Sequence, residues 1–369
     1  MGYALSEISI EIFSQEMFAR FWDMVQYSCP NIHEISIEAP RIVFSVSVLT
    51  NQLQAFRSLE HLVSLRSLGH GRGAGRIGLS PQHLAYLASV PTLQLLEFRI
   101  QNHFSPAISR TNAITQNDQF TSLRHLDVHI DSIRLLKTFC SFIEPYLLPA
   151  LDFVLMWLKK HPTASNLKHL FGAISSKPSV RSLIIHLDSA PSLGPSYTIT
   201  DSIIYPLFRI SLQILWLINL PYDFTSRTIT LIATSWPHLS ALALCQIPPN
   251  EGAALPNSLR VTDLGLLAEK LPSLTQLMLD INMEDIGAIQ VESFRYPTRQ
   301  HTNSHVELDL MGSNLPDSYG QTLLAAYLTG IFPDIRVTGR HAGIKDLQKL
   351  VELFKAVRSS EREQGSTVA

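Results

Sequence analysis

A glycine-rich stretch is the part of the sequence closest to a cofactor motif. The segment GHGRGAGRIG sets Gly73, Gly75 and Gly78 in the Gly-x-Gly-x-x-Gly spacing of dinucleotide-binding proteins, and Glu97 follows on the next predicted strand. A phosphate site needs such glycines to run directly into a helix, whereas the next predicted helix begins only at Ser80. The sequence therefore favours a glycine-rich loop between repeats, with a nucleotide-binding enzyme as the alternative.

Histidine and cysteine spacings do not predict a metal centre. His125 and His129 have a spacing that suits a shared metal on a helix, but the segment LRHLDVHI has the pattern of a strand, which would hold them about 13 Å apart. Cys29 and His33 supply two ligands, whereas a structural zinc ion takes four. The sequence also lacks a Gly-x-Ser-x-Gly motif and a Walker loop. We therefore predict no enzymatic activity, no cofactor and no metal.

A repeated leucine phrase positions the rest of the chain. The segments WPHLSALALCQI and LPSLTQLMLDI share Pro-x-Leu-x-x-Leu-x-Leu, in which the last three positions alternate as a strand does. Two polar intervals, 101–119 and 282–304, lengthen their repeats and are predicted to be either contact loops or solvated insertions. Full or partial copies start near residues 32, 59, 93, 123, 151, 180, 212, 239, 274, 305 and 332, which is eleven copies at a mean spacing of 30 residues.

This period predicts an α/β fold of the leucine-rich-repeat class. The expected solenoid is a horseshoe with a parallel sheet on the concave side and helices on the convex side. We expect residues 1–28 to form an N-terminal capping helix region, with the helix itself over 14–27. Residues 29–340 are predicted to hold about eleven repeats. Residues 341–369 are predicted to add a C-terminal capping helix over 345–358, followed by a disordered polar tail.

Composition narrows the range of partners. The formal net charge of −2, with 16% charged residues, predicts no broad attraction to nucleic acid. The most apolar intervals, 139–158 and 203–221, are interrupted by charged residues or proline, so no membrane span is expected. Three widely spaced cysteines favour reduced thiols over a disulfide framework, which predicts a cytoplasmic or nuclear location.

The strand pattern also predicts which side chains face outward. If the leucine positions are buried, the alternate positions of each strand lie on the concave side. That surface is polar in the fourth repeat and apolar from the fifth to the seventh, and an apolar patch centred on tryptophan is typical of a protein-binding hot spot. The predicted partner-binding residues are Phe153, Leu155, Trp157, Ile184, Ile214, Trp216 and Ile218, and the predicted polar contacts are Glu97, Arg99, His125, Asp127 and His129. The same alternation places Asp280, in the ninth copy, on the concave side.

Two alternatives stand beside this interpretation. A loop could cover the patch, or the true register could differ by one residue, which would turn the whole set inward. Under the binding hypothesis, Trp157→Ala or Trp216→Ala abolishes partner capture and leaves the fold intact.

Several phrases resemble one protein family. LLPALDFVLMW, TITLIATSWPHLSALAL, RVTDLGLLAEKLPSLTQLMLDI and AAYLTGIFPDIRV, followed by DLQKLVELFKAVR, together resemble the divergent leucine-rich repeats of fungal, mainly mushroom-type, F-box proteins. The resemblance covers roughly residues 15–360. It implies a substrate-recruiting subunit of a Skp-cullin-F-box ubiquitin ligase, in which the repeats hold the target protein and the F-box holds the Skp-type adaptor.

The sequence departs from this family at its start. An F-box is a three-helix unit that opens with a Leu-Pro-x-Glu-type phrase, whereas ALSEISIEIF, from Ala4 to Phe13, echoes it only faintly and without the proline. Because the first predicted strand begins near Ile32, we expect no complete F-box. Binding of a Skp-type adaptor is therefore left open, and a repeat scaffold without a role in ubiquitin ligation is the alternative.

Overall fold

The computed structural model divides into two compact units, Met1–Arg181 and Ser182–Ala369, and each is described by itself. The glycine-rich stretch and the interval 101–119 lie outside the residues that the structure describes, as does most of the interval 282–304. The described residues are 5–29, 31–38, 59–68, 79, 84, 87–100, 120–144, 148–188, 198–246, 259–288, 305–311, 313–341 and 343–366.

In the described part of the first unit, six parallel strands follow one another in the order of the chain. The first of them was not predicted, because it precedes the helix that the sequence assigns to the start of the fold. The strands are β1 (Glu7–Glu11), β2 (Glu34–Glu38), β3 (Ser64–Leu68), β4 (Leu95–Ile100), β5 (His125–Ile130) and β6 (Phe153–Leu158).

The helices of the first unit that the structure describes in full are α1 (Gln15–Ser28), α2 (Ile133–Ile143) and α3 (Ala164–Ser175). Helix α1 confirms the prediction over 14–27. The backbone N–H of Met17 donates to Ser14 Oγ at 3.1 Å, so Ser14 is its N-cap. Phe18 and Trp22 are both buried and pack edge to face, with ring centroids 5.8 Å apart.

Six parallel strands in chain order are also found among the described residues of the second unit, and a separate short pair lies outside that series. The six are β7 (Ser182–Leu187), β8 (Ile214–Ile218), β9 (Ala241–Cys245), β11 (Gln276–Leu279), β13 (Val306–Asp309) and β14 (Ile335–Thr338). The short parallel pair is β10 (Leu259–Arg260) and β12 (Ile281–Asn282).

The helices that the structure describes in the second unit are α4 (Asp201–Ile204), α5 (Ser226–Ser235), α6 (Val261–Lys270), α7 (Ser318–Ile331) and α8 (Ile344–Ser366), with 3-10 turns at Tyr205–Arg209 and Glu284–Ala288. The predicted disordered tail from residue 359 is wrong as far as residue 366, because α8 continues to Ser366. Four of the last eight residues of α8, Glu361, Arg362, Glu363 and Gln364, are of types that favour helix without needing an apolar face.

The leucine phrase forms the core in both units. In the phrase that ends in β9, Leu239, Leu242 and Leu244 are at most 1% exposed. In the first unit, the inward side of β4 packs against α2, where Phe98 and Phe139 have ring centroids 6.5 Å apart. Burial of three large apolar side chains in each repeat provides the main driving force for folding.

Each of the eleven predicted starting points is followed within a few residues by a strand, from β2 near residue 32 to β14 near residue 332. Between many of these strands the chain returns through a helix. The α/β class with parallel strands is therefore confirmed.

Candidate partner-binding faces

Burial alternates along the strands of the first unit as the sequence predicts. In β4 and β6 every second residue is buried and the intervening residues are half-buried. Val154, Met156 and Leu158 point into the core, whereas Phe153, Leu155 and Trp157 point outward. A register error of one residue is therefore excluded, although a binding role for these side chains stays a prediction.

The outward side chains of the first unit form rows across the strands. One row is formed by Leu95, His125 and Phe153, which lie side by side on β4, β5 and β6. A second row, four residues further along the same strands, is formed by Arg99, His129 and Trp157. We call the outward side chains of β1–β6 the first-unit face.

Two ring pairs stack across β5 and β6 on this face. The rings of His125 and Phe153 have centroids 4.3 Å apart and planes 13° apart. Those of His129 and Trp157 have centroids 5.4 Å apart and planes 17° apart. Stacking across neighbouring strands restricts the rotation of these rings.

Arg99 on β4 and Asp127 on β5 each lie beside a group that can carry the opposite charge. Arg99 Nε donates to Asp131 Oδ2 at 2.6 Å, and this ion pair is about four-fifths buried. His129 Nε2 lies 3.5 Å from Asp127 Oδ1. Asp127, predicted to be a polar contact, is only 9% exposed, so it supports its neighbours more than it reaches a partner.

Burial also changes the protonation of His125. Desolvation lowers the pKa of its imidazole, the Asp127 carboxylate opposes this shift, and the Arg66 guanidinium adds to it. The ring stacked on Phe153 is therefore neutral at neutral pH.

The second unit has its own apolar surface. Ile214, Trp216 and Ile218 are the half-buried residues of β8, and Trp216 is in register with Ile184 on β7 and Ala243 on β9. The remaining outward residues of β9 are also small and buried, namely Ala241 and Cys245. We call the outward side chains of β7, β8, β9 and β11 the second-unit face.

Not every predicted outward residue is accessible. Asp280, which follows β11, is 1% exposed, and its Oδ2 accepts the backbone N–H of Gln246 at 2.5 Å. It therefore stabilises the backbone of the neighbouring repeat. The two tryptophans that the sequence analysis treats as one patch belong to different units, Trp157 to the first and Trp216 to the second.

The candidate metal ligands are not gathered into a cluster. Within the described residues no group of three or more histidine, cysteine, aspartate or glutamate side chains is arranged to hold a metal ion. Cys29 is buried, whereas His33 is exposed and stacks on His61 with ring centroids 6.2 Å apart. His125 and His129 lie on one strand, as predicted.

An acidic region at the start of the first-unit face was missed by the sequence analysis. Strands β1 and β2 have the identical sequence Glu-Ile-Ser-Ile-Glu and pair in register. Their outward side chains are therefore two facing glutamate pairs, Glu7 with Glu34 and Glu11 with Glu38. The repeated pentapeptide is the signal that would have found both the strand and the cluster.

Comparison with known protein families finds no family model that matches the chain, and comparison with curated proteins finds no match. Among the helices of the described residues, none combines the length and the apolar character needed to cross a membrane.

Proposed function

We propose that this chain is a non-enzymatic protein-interaction module of the leucine-rich-repeat class that binds a protein partner through the outward side chains of its strands. The observation that carries the proposal is a half-buried tryptophan at an outward strand position in each unit, Trp157 on β6 and Trp216 on β8. Tryptophan in such partly desolvated surroundings is enriched in binding hot spots.

The placement of these side chains on strands supports the same proposal. Strands hold outward residues about 6.6 Å apart along the chain and about 4.8 Å apart across it. A surface that is already ordered loses little conformational entropy on binding, so more of the contact energy remains as affinity.

The resemblance to fungal F-box proteins gives the proposal a specific form. In that form the repeats recruit a target protein to a Skp-cullin-F-box ubiquitin ligase in the cytoplasm or nucleus. The three cysteines are free and buried, in keeping with a reducing compartment. Residues 5–29 form one strand and one helix rather than the three helices of an F-box, so these residues do not offer a Skp-type adaptor its usual site. A scaffold without a ubiquitin role is the alternative form.

The test is a pull-down with the tagged full-length chain from lysate of its source cells, read by mass spectrometry. Trp157→Ala and Trp216→Ala are compared with Tyr27→Ala and Tyr205→Ala, which remove exposed aromatic side chains from α1 and from a 3-10 turn. We expect at least one tryptophan variant to lose a partner that both tyrosine variants retain. Because the tryptophans are only half-buried, their thermal midpoints should stay within about 4 °C of the wild type.

Two results would count against this proposal. Loss of the partner in the tyrosine variants, with retention in both tryptophan variants, would move binding away from the strands. Collapse of the fold in both tryptophan variants would make these residues part of the core. Direct binding of a purified Skp-type adaptor decides between the ligase form and the scaffold form.

A further inference from the structure

The first-unit face is much more acidic than the chain as a whole, whose formal net charge is only −2. On this face Glu7 and Glu11 of β1 are exposed, and Glu34 and Glu38 of β2 are half-buried. The outward positions of β1–β6 hold six carboxylates, Glu7, Glu11, Glu34, Glu38, Glu97 and Asp127, against two guanidinium groups, Arg66 and Arg99.

The four glutamates of β1 and β2 repel one another. Facing residues on neighbouring strands lie about 4.8 Å apart, and like charges at that separation destabilise a sheet. Within the described part of the chain, no basic side chain forms an ion pair with Glu7, Glu11, Glu34 or Glu38. A cationic partner would relieve this repulsion.

Protection of a sheet edge explains only half of this cluster. Charged residues on an edge strand prevent unwanted pairing with other chains, which accounts for the glutamates of β1. Strand β2 lies between β1 and β3, so Glu34 and Glu38 protect no edge. Protection of an edge therefore does not explain the charge of Glu34 and Glu38.

At the other end of the first-unit face, the outward side chains of β6 are aromatic or aliphatic. One row runs in register from Glu7 and Glu34 through β3, β4 and β5 to Phe153. Five steps between strands span about 24 Å, which an extended peptide crosses in about seven residues. A helix lying across the strands would need about 16 residues.

We infer that the first-unit face binds a basic polypeptide segment of a partner protein, with an apolar anchor on Phe153, Leu155 and Trp157 and lysine or arginine side chains at the glutamates of β1 and β2. This inference rests on the proposed function and adds the chemistry of the partner. Opposite charges speed association and select among partners. Nucleic acid and anionic lipid are disfavoured because they carry the same sign of charge as this face.

The test uses a display library of random peptides about 16 residues long, selected on the immobilised full-length chain. We expect the recovered peptides to be enriched in lysine and arginine and to contain at least one large apolar residue. The double variant Glu34→Lys with Glu38→Lys should weaken their binding on the order of tenfold. Added salt should weaken binding to the wild type, since exposed charges are screened.

A matched control distinguishes an effect of the first-unit face from an effect of the total charge of the protein. Asp23→Lys with Glu60→Lys makes the same change in total charge at exposed positions on α1 and in a turn, so it should leave peptide binding near that of the wild type. Glu34→Gln with Glu38→Gln removes the charges without reversing them and should give intermediate binding if the reversed variant misfolds.

The outcomes separate the two proposals. Peptides that depend on Trp157 but show no excess of basic residues would overturn the basic partner and leave the binding module standing. Equal weakening of peptide binding by Glu34→Lys with Glu38→Lys and by the control Asp23→Lys with Glu60→Lys would also overturn the basic partner. Recovery of no peptide that is sensitive to Trp157→Ala would overturn both proposals for this unit.

Discussion

At the scale of single residues, the alternation of side chains along a strand predicts which side of the sheet a residue faces. It predicts the solvent exposure of that residue less well. The outward positions of β4, β6 and β8 are half-buried, as their spacing requires. Asp127 and Asp280 were predicted on the same surface, yet they are 9% and 1% exposed. Periodicity gives the side of the sheet on which a side chain lies, but the packing of the neighbouring side chains decides whether water reaches it. A single sequence does not reveal that packing.

His125 provides a prediction about pH. Because burial lowers the pKa of His125 below its ordinary value of 6.5, the unfolded chain takes up this proton before the folded chain does as the pH falls. The contribution of His125 to stability is therefore complete above about pH 6.5 and is lost below it. Chemical denaturation between pH 7.5 and 5 should show that His125→Phe, which retains a ring beside Phe153, reduces this loss of unfolding free energy.

The matched control is His169→Phe at an exposed histidine of α3. It should leave the pH dependence closer to that of the wild type. An identical pH dependence in the wild type and His125→Phe would contradict the burial of the His125 ring.

At the scale of elements, the strongest signals were those with a buried stripe and a start signal. Helix α1 combines Ser14 as N-cap with Phe18, Phe21 and Trp22 on one side, and it was placed within one residue at each end. The sequence before strand β1 lacks the Pro-x-Leu-x-x-Leu phrase, so its identity with β2 is the signal that marks it. The end of α8 was missed for a similar reason, because its last turns carry no apolar stripe.

Helix α7 provides a prediction at this scale. Its N-cap is Asp317, whose Oδ1 accepts the backbone N–H of Gly320 at 2.8 Å. Asp317→Ala removes the acceptor and should lower the free energy of unfolding by about 1 kcal/mol, measured by denaturant titration. Asp317→Asn retains an acceptor oxygen and should recover most of this loss. Equal destabilisation by the two substitutions would show that the cap does not act through this hydrogen bond.

At the scale of the whole molecule, the repeat spacing predicts the order of strands because each repeat buries its own leucine phrase. All eleven predicted points lead into strands. The division into two compact units at Arg181 and Ser182 is not visible in that spacing, since the phrase continues with the same period through it. Contacts between residues far apart in sequence set such boundaries, and a local pattern does not contain them.

The three cysteines test the core of the molecule as a whole. Cys29, Cys140 and Cys245 are all buried, and burial raises the pKa of Cys140 and of Cys245 to about 12. The reactive species is the thiolate, so the native protein at pH 8 should react slowly with a thiol reagent, and all three thiols should react at once in denaturant. Immediate reaction of Cys140 or Cys245 in the native protein would contradict the packing around them.

Site-specific photo-crosslinking shows whether the outward faces of the strands hold the partner. A photoreactive amino acid is placed at Leu155 on β6 or Ile218 on β8, with Lys168 on α3 and Thr230 on α5 as exposed helical controls in the same units. Crosslinking proceeds in lysate of the source cells. We expect one protein to be captured from a strand position and not from the helical control in that unit. Capture of the same protein only from the helical positions would contradict this expectation.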